Sequence, residues 1–488
     1  MRCLAWLLAI SLAFLPRAYA QSVTAQLPAQ LPDLGDGGGS ELSLQTERKI
    51  GESIMRDIKF REPSYLDDPE VVEYLNGLGG RMTGAGTGTR QDFEFFAIRD
   101  TSINAFAMPG GYIGVHTGLI SAAENESELA SVIAHEMAHV TQRHIARQIG
   151  IQKQMQLPMM IALAATILLA RSRPDLASGA AVAAQGGAIQ AQLGFSRDFE
   201  READRIGFQT LSAAGFDVRA MGTFFEKLQR YSRIMEGGGV PGYLRSHPVT
   251  SERITDAQSR AENQPYRQRA DPLEFHLVRA KIRAEAGDVQ DAVKIFGEAV
   301  NARRFASEPG ARYGLALALL RAKEPGRADA EIARLRADGI ASPMVDTLAA
   351  RVRLALGDQA GALAILKAAL ARYPHRRPIL YAILGLLQDQ SRFDDVLAAL
   401  AEPLRLYPRD PKLHEARAKA YAGQGKRMLQ HQAQAEFYIL QGSLPAAIEQ
   451  LQFAQTSSDG DFYEHSVVDA RLKELRAEHA RELQDRKR

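Results

Sequence analysis

The feature that most constrains this chain is a recurrence in its second half. Tyr373-Pro374 returns 34 residues later as Tyr407-Pro408. Ala286-Gly287-Asp288 and Leu356-Gly357-Asp358 lie 70 residues apart, about two such periods. A Gly with Ala five residues on recurs as Gly287/Ala292, Gly357/Ala362 and Gly442/Ala447. From Asp271 onward the sequence is almost entirely helix formers, rich in Ala, Leu, Arg, Glu and Gln. A period of this length predicts helix–turn–helix units, each unable to bury its apolar face alone, that stack on one another. Small residues let the paired helices approach, and the Pro ends the second helix. Gly442 falls half a period out of step, so the spacing allows four to six units. A generic helical bundle is the alternative.

With 488 residues the chain exceeds one ordinary core. Composition shifts after Gln264, which predicts an N-terminal domain over 42–264 and a repeat domain over 270–488. The start of the chain differs from both. Arg2, an apolar run from Leu4 to Leu15 and Ala18-Tyr19-Ala20 read as a secretory signal peptide over 1–20. The apolar run is too short to span a bilayer. Residues 21–41 are rich in Pro, Gly, Ala and Gln and read as a flexible linker. The single cysteine, Cys3, lies in the leader, so the exported part holds its fold without disulfides. Without Arg2 and Arg17 the 60 basic residues fall to the number of the 58 acidic ones. That balance argues against nucleic acid as a partner.

In the N-terminal half, helical periodicity covers Leu42–Arg56 and Pro69–Leu78, and Thr83–Thr89 is a Gly/Thr-rich loop. Phe93–Arg99 is β-prone, and Ala105–Thr117 reads as strand, turn and strand around Pro109-Gly110-Gly111. Asn125-Glu126-Ser127-Glu128 resembles a capping box that opens one long helix, Leu129–Ile149, stopped by Gly150. Within it stands His135-Glu136-Met137-Ala138-His139. Histidines at i and i+4 share a helix face and can hold one Zn²⁺, and the adjacent Glu136 can take a proton from a zinc-activated water. Flanking Val132, Ile133, Ala134, Met137, Ala138 and Val140 embed the pair in apolar sequence, which argues against two surface histidines. His144 falls on the opposite side of this helix and reads as structural or exposed.

Catalytic zinc needs a third protein ligand. A second helix, from about Ser196 to Ala213, carries Glu200 and Asp204 on one face. Glu200 is the expected ligand, with Glu202 as the alternative. Asp204 would orient a ligand histidine or donate a proton. The uncharged run Pro158–Ala170 covers the cleft or rests on a membrane surface as a peripheral contact; the alternative is a buried helix.

With both helices in hand, the chain resembles the metallopeptidases that include the CAAX prenyl protease and the bacterial heat-shock protease HtpX. The matching residues are His135-Glu136-x-x-His139, Glu200-x-x-x-Asp204 and the stretch from Asn104 to Ile113, within about 42–264. Unlike those enzymes the chain has no long apolar span. Its exported form with repeats is similar to periplasmic members that serve outer-membrane protein assembly as protease and chaperone. The period of 34 resembles tetratricopeptide repeats. The resemblance implies an α+β zincin-like metallopeptidase domain, mostly helical with a small sheet, followed by an all-α tetratricopeptide-repeat solenoid. It implies Zn²⁺ held by His135, His139 and Glu200, with Glu136 as base and Asp204 as proton donor. It implies that the strand Tyr112, Ile113, Gly114, Val115 and His116 binds substrate as an added strand; the alternative is a strand that merely belongs to the sheet. Ser246-His247-Pro248-Val249-Thr250 matches a further segment, in which His247 would take the fourth zinc position as an off-switch; the alternative is a plain loop histidine. Protein substrates and the outer-membrane protein assembly machinery are the implied partners.

Overall fold

The computed structural model describes residues 42–85, 91–151, 196–234, 242–265 and 269–485. The expected leader and the stretches 158–170 and 177–193 lie outside the described residues. Helix α1 (Leu44–Arg61) starts where the Ser43 hydroxyl accepts from the Thr46 N–H (3.1 Å). Helix α2 (Pro69–Thr83) starts at Asp68, whose carboxylate accepts from the N–H groups of Glu70 and Val71. Its proline stands at the first turn, where no donor is needed.

Strands β1 (Tyr65–Leu66), β2 (Glu94–Ile98), β3 (Ala105–Met108) and β4 (Tyr112–His116) form one sheet in the order β1-β2-β4-β3. β4 runs parallel to β2 and antiparallel to β3. Gly110 and Gly111, at φ 81° and 91°, supply the left-handed turn between β3 and β4. The two edges of the sheet differ. At the β1 edge, where β1 is too short to reach Phe95, Asn76 takes its place: Nδ2 donates to the Phe95 carbonyl (2.8 Å) and Oδ1 accepts from its N–H (3.1 Å). That edge is closed to another strand. The opposite edge is β3.

Helix α3 (Thr117–Ala122) leads into α4 (Glu126–Thr141). Asn125 caps α4 by accepting from the Glu128 N–H (2.9 Å), while the Glu128 carboxylate reaches back to the Glu124 N–H (2.8 Å). Every residue of α4 from Glu126 to Ala138 is buried, so it is the central helix of this half. The expected single helix to Ile149 is broken. Gln142 and Arg143 form a turn with Arg143 at φ 54°, and a further helix, α5 (144–151), leaves in a new direction. The Arg143 guanidinium holds the turn against α1 through Glu47 (2.6 Å) and the Leu42 carbonyl. Helices α6 (196–213), α7 (Arg219–Ile234), α8 (Gly242–Ser246) and α9 (Ser251–Glu262) complete the half.

The second half is a run of helical hairpins: α10 (Leu273–Glu285) with α11 (Val289–Asn301), α12 (Glu308–Arg321) with α13 (Pro325–Ala337), α14 (Pro343–Ala355) with α15 (Gln359–Arg372), α16 (Arg377–Asp389) with α17 (Phe393–Leu406), α18 (Pro411–Gly423) with α19 (Arg427–Leu440), and α20 (Leu444–Gln455) with α21 (Phe462–Asp485). First helices start 33 to 35 residues apart. Gly287 and Gly357 turn the chain inside a hairpin, whereas Gly442 turns it between hairpins, which explains its half-period offset. Ala292, Ala362 and Ala447 are buried where helices meet. The core is continuous across the expected boundary near residue 265: one apolar cluster runs from Leu66 through α4 and α7 to Val352. The array also curves back onto the first half. Lys281 pairs with Asp68 and Glu70 (2.5 and 2.7 Å), Lys412 with Asp67 (2.6 Å), and Arg56 donates to the Gly442 carbonyl (2.5 Å).

Candidate metal centre

Helices α4 and α6 meet face to face where the sequence placed its chemistry. Gly207 permits the approach: a Cβ there would lie 3.1 Å from the His135 nitrogen. Across this contact four residues converge, with ligand atoms of His135, His139, Glu200 and His247 within 4.8 Å of one another. The Nε2 atoms of His135 and His139 are 3.0 Å apart, and each is 3.4 Å from a Glu200 carboxylate oxygen. His247 Nδ1 lies 3.3 Å from His135 Nε2 and 2.8 Å from Glu200 Oε1. Ligands about 2.0–2.2 Å from one tetrahedral centre stand roughly 3.3 Å from each other, so this donor set fits a divalent metal.

Hydrogen bonds around the cluster turn both ring Nε2 atoms inward. His135 Nδ1–H donates to Asp204 Oδ1 (2.9 Å). His144 Nε2–H donates to Glu202 Oε2 (3.1 Å), so its Nδ1 accepts from His139 Nδ1–H (2.9 Å). This corrects the expected direction of His144. The broken helix carries it back toward His139, buried and stacked on Phe199 at 4.6 Å. Glu202, the alternative ligand, stands behind the site in this relay, held by Arg147 (2.8 Å).

Arg253 was not singled out by the sequence. From the first turn of α9 its buried guanidinium donates to both Asp204 oxygens (2.7 and 2.8 Å) and to the Pro248 carbonyl (2.9 Å). Nη1 is also 2.8 Å from Glu200 Oε2, and the group lies over the Phe225 ring. A cation in the first turn of a helix opposes the helix dipole, which was the available signal that it has anionic partners elsewhere. Tyr243 was also missed. Its ring stacks on His247 at 4.8 Å, and its buried hydroxyl has no hydrogen-bond partner.

The electrostatics separate two carboxylates. Burial raises the Glu136 pKa, and its Oε1 has no hydrogen-bond partner, with His247 Nε2 3.5 Å away. Burial acts in the same direction on Glu200, but the hydrogen bond and charge of His135 outweigh it and hold that group far below the usual range. Burial disfavours charge on both ligand rings. The bonds of His135 to Asp204 and Glu200 overcome it and raise that ring to about 10, whereas His139 falls to about 3. Asp204, opposed by burial, is held below the usual carboxylate range by its bonds with His135 and Arg253. Its bond to the His135 ring suits the orienting role.

The expected substrate strand also needs correction. β4 is paired along Tyr112–His116 with β2 and along Tyr112–Val115 with β3, so it cannot accept another strand. Among the described residues the neighbouring β3 has the edge with no strand paired to it, and Glu136 accepts a hydrogen bond from its Ala107 N–H.

Paired histidines on a buried helix, an acid from a second helix and a carboxylate beside them with one unpartnered oxygen define a metalloendopeptidase. Residues 73–261 match Peptidase family M48. The chain is 40% identical over 310 residues to the putative beta-barrel assembly-enhancing protease of Vibrio cholerae serotype O1, an alignment spanning 63% of each protein. It is 32% identical to the beta-barrel assembly-enhancing protease of Yersinia pestis, over 92% of this chain and 93% of that one. The protein of that name from Escherichia coli K12 is 31% identical over 91% of both. The chain belongs to the M48 metallopeptidases, in the group that contains these proteases.

Proposed function

We propose that this protein is a zinc-dependent endopeptidase of the bacterial cell envelope. It is exported to the periplasm after loss of residues 1–20, and it hydrolyses misassembled or unfolded envelope proteins as part of outer-membrane protein quality control. The observation that carries this reading is the approach of His135 Nε2, His139 Nε2 and Glu200 to within 3.0–3.4 Å, next to Glu136, whose Oε1 has no hydrogen-bond partner. Bound there, Zn²⁺ supplies Lewis acidity and lowers the pKa of water toward neutrality. Glu136, raised by burial, is the base that accepts the proton and returns it to the leaving amine. Asp204 and the His144–Glu202 pair hold the two ligand rings in the tautomer that faces inward. Arg253 neutralises the buried acids.

The substrate backbone lies along β3 as an added strand. His116 N–H donates to the Asn104 carbonyl, so Asn104 and Phe106 face β4 and Ala105 and Ala107 face outward, toward the catalytic carboxylate. With a metal held by His135, His139 and Glu200, His247 would supply the fourth ligand at rest and keep substrate out. When it withdraws, water and substrate enter, and the Tyr243 hydroxyl becomes available to a substrate carbonyl. The hairpins are tetratricopeptide repeats that present a surface to clients or to the outer-membrane assembly machinery. Among the described residues no helix is long and apolar enough to cross a membrane.

Hydrolysis of an unfolded protein by wild type and by Glu136→Gln, with and without a chelator, tests the enzyme reading. Activity that survives both would sink it. The seated His247 also favours a second reading, a chaperone or scaffold with a latent protease domain. If Glu136→Gln supports full cellular function while deletion of the repeats removes it, that second reading holds.

A further inference from the structure

A recess of about 630 Å³ lies away from the metal cluster, between α10, α11 and the start of α12, with Glu124 at its border. His276, Arg279 and Arg283 stand on one face of α10, and Arg304 lies on the loop that follows α11. Half-buried Arg279 donates through Nε to the Ser121 carbonyl (3.2 Å), and its other nitrogens make no hydrogen bond or ion pair among the described residues. Arg283 and Arg304 have no hydrogen-bond or ion-pair partner for their side chains among the described residues. Glu124, the acid at the border, is engaged by Lys227 (3.0 Å). Burial, and then the charge of Arg283, lower the Arg279 pKa against the opposing pull of Glu124, Glu128 and Asp271. The whole chain is near neutral, with a formal charge of +2, so the cluster is a local concentration of charge and not a general excess. Several arginines elsewhere on the hairpins are paired, among them Arg312 with Glu308 and Glu331, Arg376 with Glu274, and Arg377 with Asp410. The walls are apolar. Ile295 is 55% exposed, and Phe296 and Phe305 stand beside it.

We propose that this recess docks an acidic peptide segment of a protein partner, with carboxylates on the three arginines and one apolar side chain against Ile295 and Phe305. Unpaired guanidiniums around an apolar floor suit a carboxylate beside an apolar group, because each bidentate Arg–carboxylate pair adds direction as well as attraction. The volume accommodates a few residues, and the concave shape suits a chain better than a flat membrane surface. The proposal rests on the reading of the hairpins as a protein-binding surface. It is independent of hydrolysis.

The test uses the full chain carrying Glu136→Gln, so that bound peptide is not cut, and a fluorescent peptide blocked at both ends with the sequence Glu-Asp-Phe-Asp-Glu. Binding by anisotropy should weaken as salt rises. It should fall at least about tenfold in Arg283→Glu/Arg304→Glu, a difference of about 1.4 kcal/mol. Arg304→Ala alone, on an exposed loop, should weaken it less and guards against a folding defect in the double variant. The inference is overturned if the Gln-Asn-Phe-Asn-Gln peptide binds equally well, or if the double variant retains full affinity. It is also overturned if vesicles containing phosphatidylglycerol bind through these arginines while the peptide does not. Loss of peptide binding with hydrolysis by the parent chain intact would remove this inference alone.

Discussion

The two halves of the molecule bury different things. The N-terminal half buries charge: Glu126, Glu128, His135, Glu136, His144, Glu200, Asp204, His247 and Arg253 are all withdrawn from water. The hairpins bury alanine and leucine, and their few buried charges are satisfied by partners such as the acids at the start of α2 or serve as helix caps. Burying an ionised group costs several kcal/mol unless partners compensate, so a chain that does this repeatedly in one place is holding chemistry there. The array stabilises its neighbours through small residues packed on rings. Gly314 lies under the Phe296 ring and Gly423 under that of Phe393, where a Cβ would come within 2.2 Å. The first half is specified by polar geometry and the second by shape.

Substitutions can break that contrast, and the largest effect belongs to the catalytic carboxylate. Glu136→Gln should lower the rate of hydrolysis by roughly 10³-fold while metal content stays at the wild-type level, as the proposed role of base, not ligand, requires. If metal is lost together with activity, Glu136 belongs to the ligand set and the division of labour between the two glutamates is wrong. Chelation of the wild type should abolish activity reversibly and lower its melting temperature, since a metal that binds only the folded state stabilises it. Equal melting curves with and without chelator would contradict a metal at this site.

Next comes the pair of buried acids. Arg253→Met leaves Asp204 and Glu200 without their shared cation and should cost about 3–5 kcal/mol in denaturant unfolding. A loss below about 1 kcal/mol would show that metal alone balances the two carboxylates. Removing His247 should act in the opposite direction: His247→Ala should raise proteolysis severalfold in initial-rate assays. A fall would make that histidine a working ligand or part of the reaction instead of a latch. The smallest effect is expected in the array. Gly314→Ala overpacks Phe296 and should cost about 1–3 kcal/mol in thermal or denaturant unfolding, with metal content unchanged.

Legibility followed the same contrast. The repeat spacing was readable because each hairpin restates it, and even the offset of Gly442 proved to be a turn between hairpins. His135, Glu136 and His139 were readable because one helix carries all three. Glu200 needed one more step, the shared face of i and i+4, and α6 lies where that face requires. What the sequence concealed depended on breaks and on crossings between elements. The turn at Arg143 redirects His144 from the far side of α4 to the back of His139 and voids any count of 100° per residue across it. Strand order is not encoded in strand sequence, so the free edge moved from β4 to β3. Arg253 joins acids some fifty positions away, and only the tertiary fold displays the pairing.

X-ray absorption at the zinc edge, on protein purified without added metal, addresses the centre most directly. One zinc per chain in a shell of nitrogen and oxygen at about 2.0–2.1 Å, with imidazole scattering from three rings in the wild type and two in His247→Ala, is the predicted result. Protein that folds and cleaves without stoichiometric metal, or a shell unchanged by Glu200→Ala, would contradict it.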